Sequence, residues 1–67
     1  MFTLDDLIST THNDFETIYV YTDDDKYEAM EPDYVAESRN DIHEYGIQEI
    51  YVRAWFVDAN WCLHVLV

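Results

Sequence analysis

The sequence predicts a single α+β domain, with two helices and a three-stranded, mainly antiparallel sheet in the order α-β-α-β-β. Its 67 residues suffice for one hydrophobic core, so residues 1–67 form one domain. A hydrophobic fraction of 49% and an aromatic fraction of 16% distinguish it from a disordered acidic tail. Runs of β-branched and aromatic residues alternate with segments that carry helix start and stop signals. The chain is therefore expected to fold with both kinds of element.

The first helix is predicted from Thr3 to about residue 11. Thr3 is a good N-cap, acidic residues follow in the first turn, and Phe2 is placed to pack against Leu7. The predicted buried stripe consists of Leu4, Leu7 and Ile8.

The first strand is predicted over residues 15–22, which are mostly β-branched or aromatic. The acidic run Asp23-Asp24-Asp25 ends this pattern. Residues 26–31 fit either a loop or an early helical turn, and the sequence leaves that choice open.

The second helix is predicted from Pro32 to Tyr45, because proline suits a first helical position and Gly46 suits the residue just beyond the end. Its predicted apolar side carries Tyr34, Val35, Ile42 and Tyr45.

A hairpin is predicted from strands over residues 47–57 and 61–67. The turn Asp58-Ala59-Asn60 lies between them, with Asn60 in the left-handed conformation. A three-residue loop pairs Val57 with Trp61 and Trp55 with Leu63. One face then carries Tyr51, Arg53, Trp55, Val57, Trp61, Leu63, Val65 and Val67, and the other Val52, Ala54, Phe56, Cys62, His64 and Leu66. Both faces are largely apolar and need cover from helices or a second copy, so a monomer and a homodimer both remain open.

The charge balance is strongly acidic, with 15 acidic and three basic side chains and a net charge of −12. This far exceeds the magnitude of about 2–8 that keeps a small domain soluble. Such a chain repels nucleic acid and anionic membranes and attracts basic surfaces, chiefly the nucleic-acid-binding clefts of other proteins. A basic DNA-binding protein is therefore the expected partner.

An acidic ridge is predicted on the second helix, where four carboxylates fall on one face and repeat at about 6 Å along the axis. The alternative is an ordinary solvated face, but such faces mix acidic residues with lysine, and this chain has one lysine. The ridge consists of Asp33, Glu37, Asp41 and Glu44, extended by Asp23, Asp24, Asp25, Glu28 and Glu31, with Tyr27 and Tyr34 as aromatic anchors.

Metal and catalytic sites are not expected. Asp23 does not start an EF-hand loop, because the required central glycine and final glutamate are missing. Cys62 and His64, even joined by His12 or His43, lack the spacing of a zinc site. Burial of Cys62 would silence its thiol, and a single glycine excludes a glycine-rich phosphate loop. We therefore expect no cofactor, no metal and no enzymatic activity.

The predicted compartment is the cytoplasm. Cys62 is the only cysteine, so no internal disulfide can form. The first residues are acidic where a signal peptide is basic, and no apolar run approaches the roughly 20 residues of a membrane span.

The combination of 67 residues, net charge −12, an acidic helix and an aromatic-rich small sheet resembles the DNA-mimic inhibitors of bacteriophages and mobile elements. These include anti-CRISPR, anti-restriction and uracil-DNA glycosylase inhibitor proteins, and the small α+β body is most similar to the anti-CRISPR group. The resemblance implies evasion of host defence by occupation of the basic channel in which a CRISPR effector subunit holds DNA. It also leaves a restriction enzyme or a glycosylase as the target. A homodimeric adaptor and an adaptation to high salt are the alternatives from other classes.

Overall fold

A computed structural model describes residues 2–10 and 15–67. The α+β class is confirmed, but the predicted two helices and three-stranded, mainly antiparallel sheet are wrong. The described residues form three helices and a mixed sheet of four strands in the order β2-β1-β4-β3. The elements are α1 (Leu4–Thr10), β1 (Thr17–Tyr21), α2 (Asp24–Ala29), β2 (Tyr34–Ala36), α3 (Arg39–Tyr45), β3 (Ala54–Val57) and β4 (Cys62–Leu66).

The sheet consists of two antiparallel pairs joined by a parallel pair at the centre. β1 is antiparallel to β2, and β3 is antiparallel to β4. β1 and β4 run parallel, with Ile18 beside Leu63 and Val20 beside Val65. Because paired residues point to the same side of a sheet, the register assigns every strand residue to one of two faces.

One side of the sheet, which we name the core face, carries Ile18, Val20, Leu63 and Val65 on its central strands. These side chains are buried under α1 and α3. The helices contribute Leu4, Leu7 and Ile42, and the loops contribute Phe15, Ile47 and Val52.

The opposite side, which we name the α2 face, carries Tyr19, Tyr21, His64 and Leu66 on the central strands and Phe56 on β3. The ring of Tyr27 lies against Tyr21 and Phe56, with centroids 5.3 and 5.9 Å away. The short helix α2 therefore covers part of this face.

The helix predicted from Pro32 to Tyr45 is wrong in its first half. Tyr34–Ala36 forms β2, and α3 begins only after Ser38. Aromatic and β-branched residues favour a strand, and the open edge of β1 supplies a hydrogen-bonding partner. The Asp33 N–H begins this pairing by donating to the Val20 carbonyl at 2.8 Å. The predicted end is confirmed, because Gly46 closes α3 with φ of 74°.

The start of α1 is confirmed by a reciprocal cap. The Asp6 N–H donates to Thr3 Oγ1 at 3.2 Å, and the Thr3 N–H donates to Asp6 Oδ2 at 3.1 Å. Residue 11, the predicted end, lies outside the described residues. The stretch left open at residues 26–31 belongs mostly to α2, which Asp23 caps and Met30 ends in the left-handed conformation.

The hairpin differs from the prediction in length and register. Residues 47–53 form turns and an isolated bridge between Thr3 and Tyr51, so the strand predicted from 47 begins only at Ala54. Val57 pairs with Leu63 rather than with Trp61, because Asp58 Oδ1 accepts the N–H groups of Asn60 and Cys62 and holds a longer loop.

Trp61, not Asn60, takes the left-handed conformation, with φ of 64°. The register shift is two residues, so the predicted assignment of side chains to faces is retained for the strand residues. The first and last strands are shorter than predicted, at Thr17–Tyr21 and Cys62–Leu66.

Candidate protein-binding surface

The largest group of exposed acidic residues lies along α2 and at its two ends. Asp23 is the N-cap, and its Oδ1 accepts the Asp25 N–H at 2.8 Å. Acidic residues in a first helical turn are favoured by the helix dipole, which explains why so acidic a segment is helical. The exposed acidic residues of this segment, named here the α2 surface, are Asp23, Asp24, Asp25, Glu28 and Glu31.

Tyr27 attaches this helix to the sheet. None of the six residues of α2 is fully buried, and Tyr27 is the one that is half-buried. Burial raises the pKa of its hydroxyl. Tyr27 was predicted to be an aromatic anchor for a partner, but its ring packs within the chain, on Tyr21 and Phe56.

The predicted ridge on one helix is wrong, because only Asp41 and Glu44 lie on a common helix, α3, while Asp33 and Glu37 lie outside it. Asp33 precedes β2, and its Oδ2 accepts from the N–H and the hydroxyl of Thr22 at 2.7 and 2.8 Å. Its other oxygen contacts the Lys26 ammonium. The hydrogen bond from Lys26, followed by those from Thr22, lowers the pKa of Asp33 to about 2. Asp33 thus joins α2 to β2 and is not a free carboxylate.

The other three ridge residues surround α3, across the sheet from α2. Asp41 Oδ2 accepts the Glu37 N–H at 2.9 Å, so Asp41 stabilises the start of α3 where Ser38 makes no side-chain cap. Glu37 and Glu44 are exposed. The structure therefore divides the predicted acidic surface between two sides of the molecule.

Tyr34 is half-buried and packs on Tyr45, with ring centroids 5.1 Å apart. The Tyr45 hydroxyl donates to the Val35 carbonyl at 2.8 Å. These contacts join α3 to β2, so Tyr34 takes part in the fold rather than standing free beside the acidic residues.

An ion-pair cluster that sequence reasoning missed joins α1 to α3. The Arg39 guanidinium donates to both oxygens of Asp5 at 2.8 and 2.9 Å, and His43 Nε2 lies 2.9 Å from Oδ1. The Arg39 hydrogen bond is the main cause that lowers the pKa of Asp5. Asp5 reads in sequence only as a first-turn acid, and no spacing signal connects it to residues so distant in the chain.

All three basic side chains are engaged within the chain. Lys26 pairs with Asp33 and Arg39 with Asp5. Arg53 donates to the Val67 carbonyl at 2.9 and 3.1 Å and lies 3.4 Å from Asp24. The Arg53–Asp24 pair is exposed and weakly held, so Asp24 remains open to competition from another cation. The acidic groups Asp25, Glu28 and Glu31 lie at the surface beside it.

A buried polar network lies beneath this surface on the α2 face. His64 is 3% exposed, with Nε2 2.8 Å from Asp58 Oδ2 and Nδ1 2.8 Å from the Tyr21 hydroxyl. A carboxylate only accepts, so Nε2 donates to Asp58; in the neutral form of the imidazole, Nδ1 then accepts the Tyr21 O–H.

Phe56 and Tyr19 stack on the two sides of the imidazole, with centroids 4.5 and 5.0 Å away. The network therefore joins Asp58 of the hairpin loop to Tyr21 of β1 through His64 of β4. Cys62 is half-buried on the same face. Among residues 2–10 and 15–67, no three His, Cys, Asp or Glu side chains are grouped so as to hold a metal ion. No helix in these ranges combines the length and apolar character needed to cross a membrane.

Comparison with known proteins finds no similar family model, no similar curated protein and no similar solved structure.

Proposed function

We propose that the chain is a binding protein rather than an enzyme, and that it blocks the basic nucleic-acid-binding channel of another protein by presenting carboxylates in place of phosphates. The single observation that supports this most is the commitment of every basic side chain to an internal contact. Apart from the exposed Arg53–Asp24 pair, the α2 surface therefore offers negative charge with no ion pair to a lysine or arginine in the part of the chain that the structure describes.

The carboxylates of the α2 surface suit such a channel. Lysine and arginine side chains that bind DNA phosphates make charge-assisted hydrogen bonds to carboxylates as well. Asp25 and Glu28 lie one helical turn apart and are exposed. Asp24 makes only a surface ion pair to Arg53, and a basic partner can compete with Arg53 for it. Asp33 is excluded from the contact because Lys26 and Thr22 already occupy its oxygens.

The target proposed first is a CRISPR effector complex in the cytoplasm of a host cell, with target DNA binding as the blocked step. A restriction enzyme or a uracil-DNA glycosylase is the second target class. The chemistry of the contact is the same in each case, so a target assay separates them.

The test uses two double variants with the same change of charge on opposite sides of the sheet. Asp25→Lys with Glu28→Lys alters the α2 surface, and Glu37→Lys with Glu44→Lys alters α3. Each protein is titrated into a CRISPR effector bound to labelled target DNA at two salt concentrations. Unaltered protein should displace the DNA, and displacement should weaken as salt rises.

The α2 double variant should lose at least about tenfold in potency, because each charged contact contributes about 1.5–3 kcal/mol. The α3 double variant should lose less, through long-range attraction alone. Equal losses would show that net charge acts without a defined surface. If both double variants displace the DNA as well as the unaltered protein does, and circular dichroism shows both variants folded, the proposal is contradicted.

Exposed aromatic side chains on the hairpin favour a second candidate, a homodimeric adaptor. Trp55 and Trp61 are 44% and 46% exposed, and Phe56 is 38% exposed. Exposed aromatic side chains are enriched at protein interfaces. Sedimentation at low and high salt tests this, since screening of the −12 charge should promote a dimer.

A further inference from the structure

A groove lies between α1 and the edge strand β3. It has a volume of about 320 Å³ and is lined by Phe2, Asp6, Leu7, Thr10 and Trp55. Leu7 is buried, whereas Phe2 and Trp55 are 41% and 44% exposed. The leucine therefore forms the floor, and the two aromatic side chains form sides that a ligand can reach.

The groove combines aromatic surface with one carboxylate. Asp6 is exposed, and its Oδ2 accepts the Thr3 N–H at 3.1 Å. The described lining contains one acidic side chain and no basic one. Within residues 2–10 and 15–67, the lysine and both arginines, Lys26, Arg39 and Arg53, are engaged elsewhere and do not pair with Asp6, so its charge is available to a cation of another molecule.

The groove and the α2 surface lie on either side of β3. Arg53, directly before β3, lies 3.4 Å from Asp24 of the α2 surface. Phe56 of β3 contacts Tyr27 of α2 on one face of the sheet, and its neighbour Trp55 points to the other face. A basic partner that approaches the edge strand can therefore contact both regions.

We propose that this groove binds one arginine side chain of the basic partner. The methylene stem lies along Leu7, the guanidinium stacks on Trp55, and one N–H group donates to Asp6. This inference rests on the proposed function and deepens it by naming the partner side chain and its site.

Arginine fits better than the other occupants. Its guanidinium is planar, weakly hydrated and stacks on aromatic rings, whereas the lysine ammonium is a compact, strongly hydrated charge. An apolar side chain would cover Asp6 without a partner for its charge. A second copy of this chain is repelled by its own net charge of −12.

The test needs no target protein. The full chain, labelled with ¹⁵N, is titrated with a hexaarginine peptide and with hexalysine at equal ionic strength, and the indole N–H signals of Trp55 and Trp61 are followed. Hexaarginine should shift the Trp55 signal saturably and hexalysine should shift it at least about fivefold less at the same concentration.

Two variants locate the contact. Asp6→Asn removes the charge and keeps an oxygen acceptor for the Thr3 N–H, and it should weaken hexaarginine binding about tenfold. Glu44→Gln carries the same charge change away from the groove and should change binding less than about twofold. Trp55→Leu removes the stacking surface without touching the α1 cap. Because it also removes the Trp55 signal, its hexaarginine affinity is measured by isothermal titration calorimetry beside the unaltered chain, and it should be at least about threefold weaker.

An unmoved Trp55 signal, or equal responses to the two peptides, would overturn the assignment. So would equal losses in Asp6→Asn and Glu44→Gln. These failures are separable from failure of the proposed function, because DNA displacement through the α2 surface is measured in its own assay. If the chain displaces DNA but hexaarginine does not shift the Trp55 signal, only the assignment of the groove to an arginine side chain is refuted.

Discussion

The two faces of the sheet are stabilised in different ways. Leu63 and His64 are neighbours on β4, are both buried, and point to opposite faces. Leu63 packs among aliphatic side chains under α1 and α3, and it makes no polar contact of its side chain. His64 is held by two hydrogen bonds and two stacked rings under the partial cover of α2.

The core face is thus stabilised mainly by the packing of apolar side chains, and the α2 face depends also on hydrogen bonds between buried polar groups. On the core face, the cost of a substitution should follow the volume removed. On the α2 face, it should follow the number of buried polar groups left without a partner. The acidic α2 surface is therefore mounted on the face that depends more on specific hydrogen bonds.

The largest effect is expected for Leu63→Ala on the core face. It should lower the free energy of unfolding by about 2–5 kcal/mol, because a fully buried side chain is replaced by a cavity. Urea denaturation followed by far-UV circular dichroism measures the change. A loss below about 1 kcal/mol would show that the face collapses around the cavity and is less tightly packed than its burial indicates.

A smaller effect is expected for Tyr21→Phe on the α2 face. The ring and its contact with Tyr27 remain, but His64 Nδ1 loses its partner, at a cost of about 1–3 kcal/mol. Tyr19→Phe is the matched control, since it removes a half-buried hydroxyl from the same face and leaves the Tyr21–His64 bond in place. Equal costs for the two variants would contradict a specific role for the network.

The smallest effect concerns pH, because the carboxylates involved are near the surface and solvent screens their ion pairs. Asp33, beside α2, has its pKa lowered from 3.8 to about 2, chiefly by Lys26. The unfolded chain binds the proton first as pH falls, so the stabilisation is complete above about pH 4 and is lost towards pH 2.

Asp33→Asn should therefore be less stable than the unaltered chain at pH 6, and the difference should shrink as pH falls through the range from 4 to 2. Urea midpoints across this range, measured at constant high salt to suppress general repulsion, test the expectation. The same urea midpoints for Asp5→Asn give a comparison at the ion pair between α1 and α3, where Arg39 lowers the pKa of Asp5. A difference for Asp33→Asn that persists at pH 2 would contradict the assignment.

Local signals predicted the parts of the fold that depend on neighbours in sequence. The Thr3 cap, the stop at Gly46 and the alternation of the hairpin residues are each set within a few positions. β2 was missed because its hydrogen-bonding partner is β1, which local propensity does not reveal. Pro32 suits a helix start, and only the open edge of β1 decides for a strand.

The candidate surface was predicted in composition but not in arrangement. Acidic residues before and within α2 were identified, whereas the single ridge depended on a helix that does not exist in its first half. The sequence alone does not indicate that Asp33 is engaged, because nothing local connects it to Thr22 and Lys26. The His64 network carries no spacing signal, since one histidine reads only as a core residue.

The parallel contact between β1 and β4 has a consequence for the speed of folding. β1 with β2, and β3 with β4, are pairs close in sequence, whereas Ile18 and Leu63 meet only after most of the chain has been closed into a loop. Closing a long loop costs entropy before the contacts that repay it are made. Docking of the two strand pairs is thus expected to limit the folding rate.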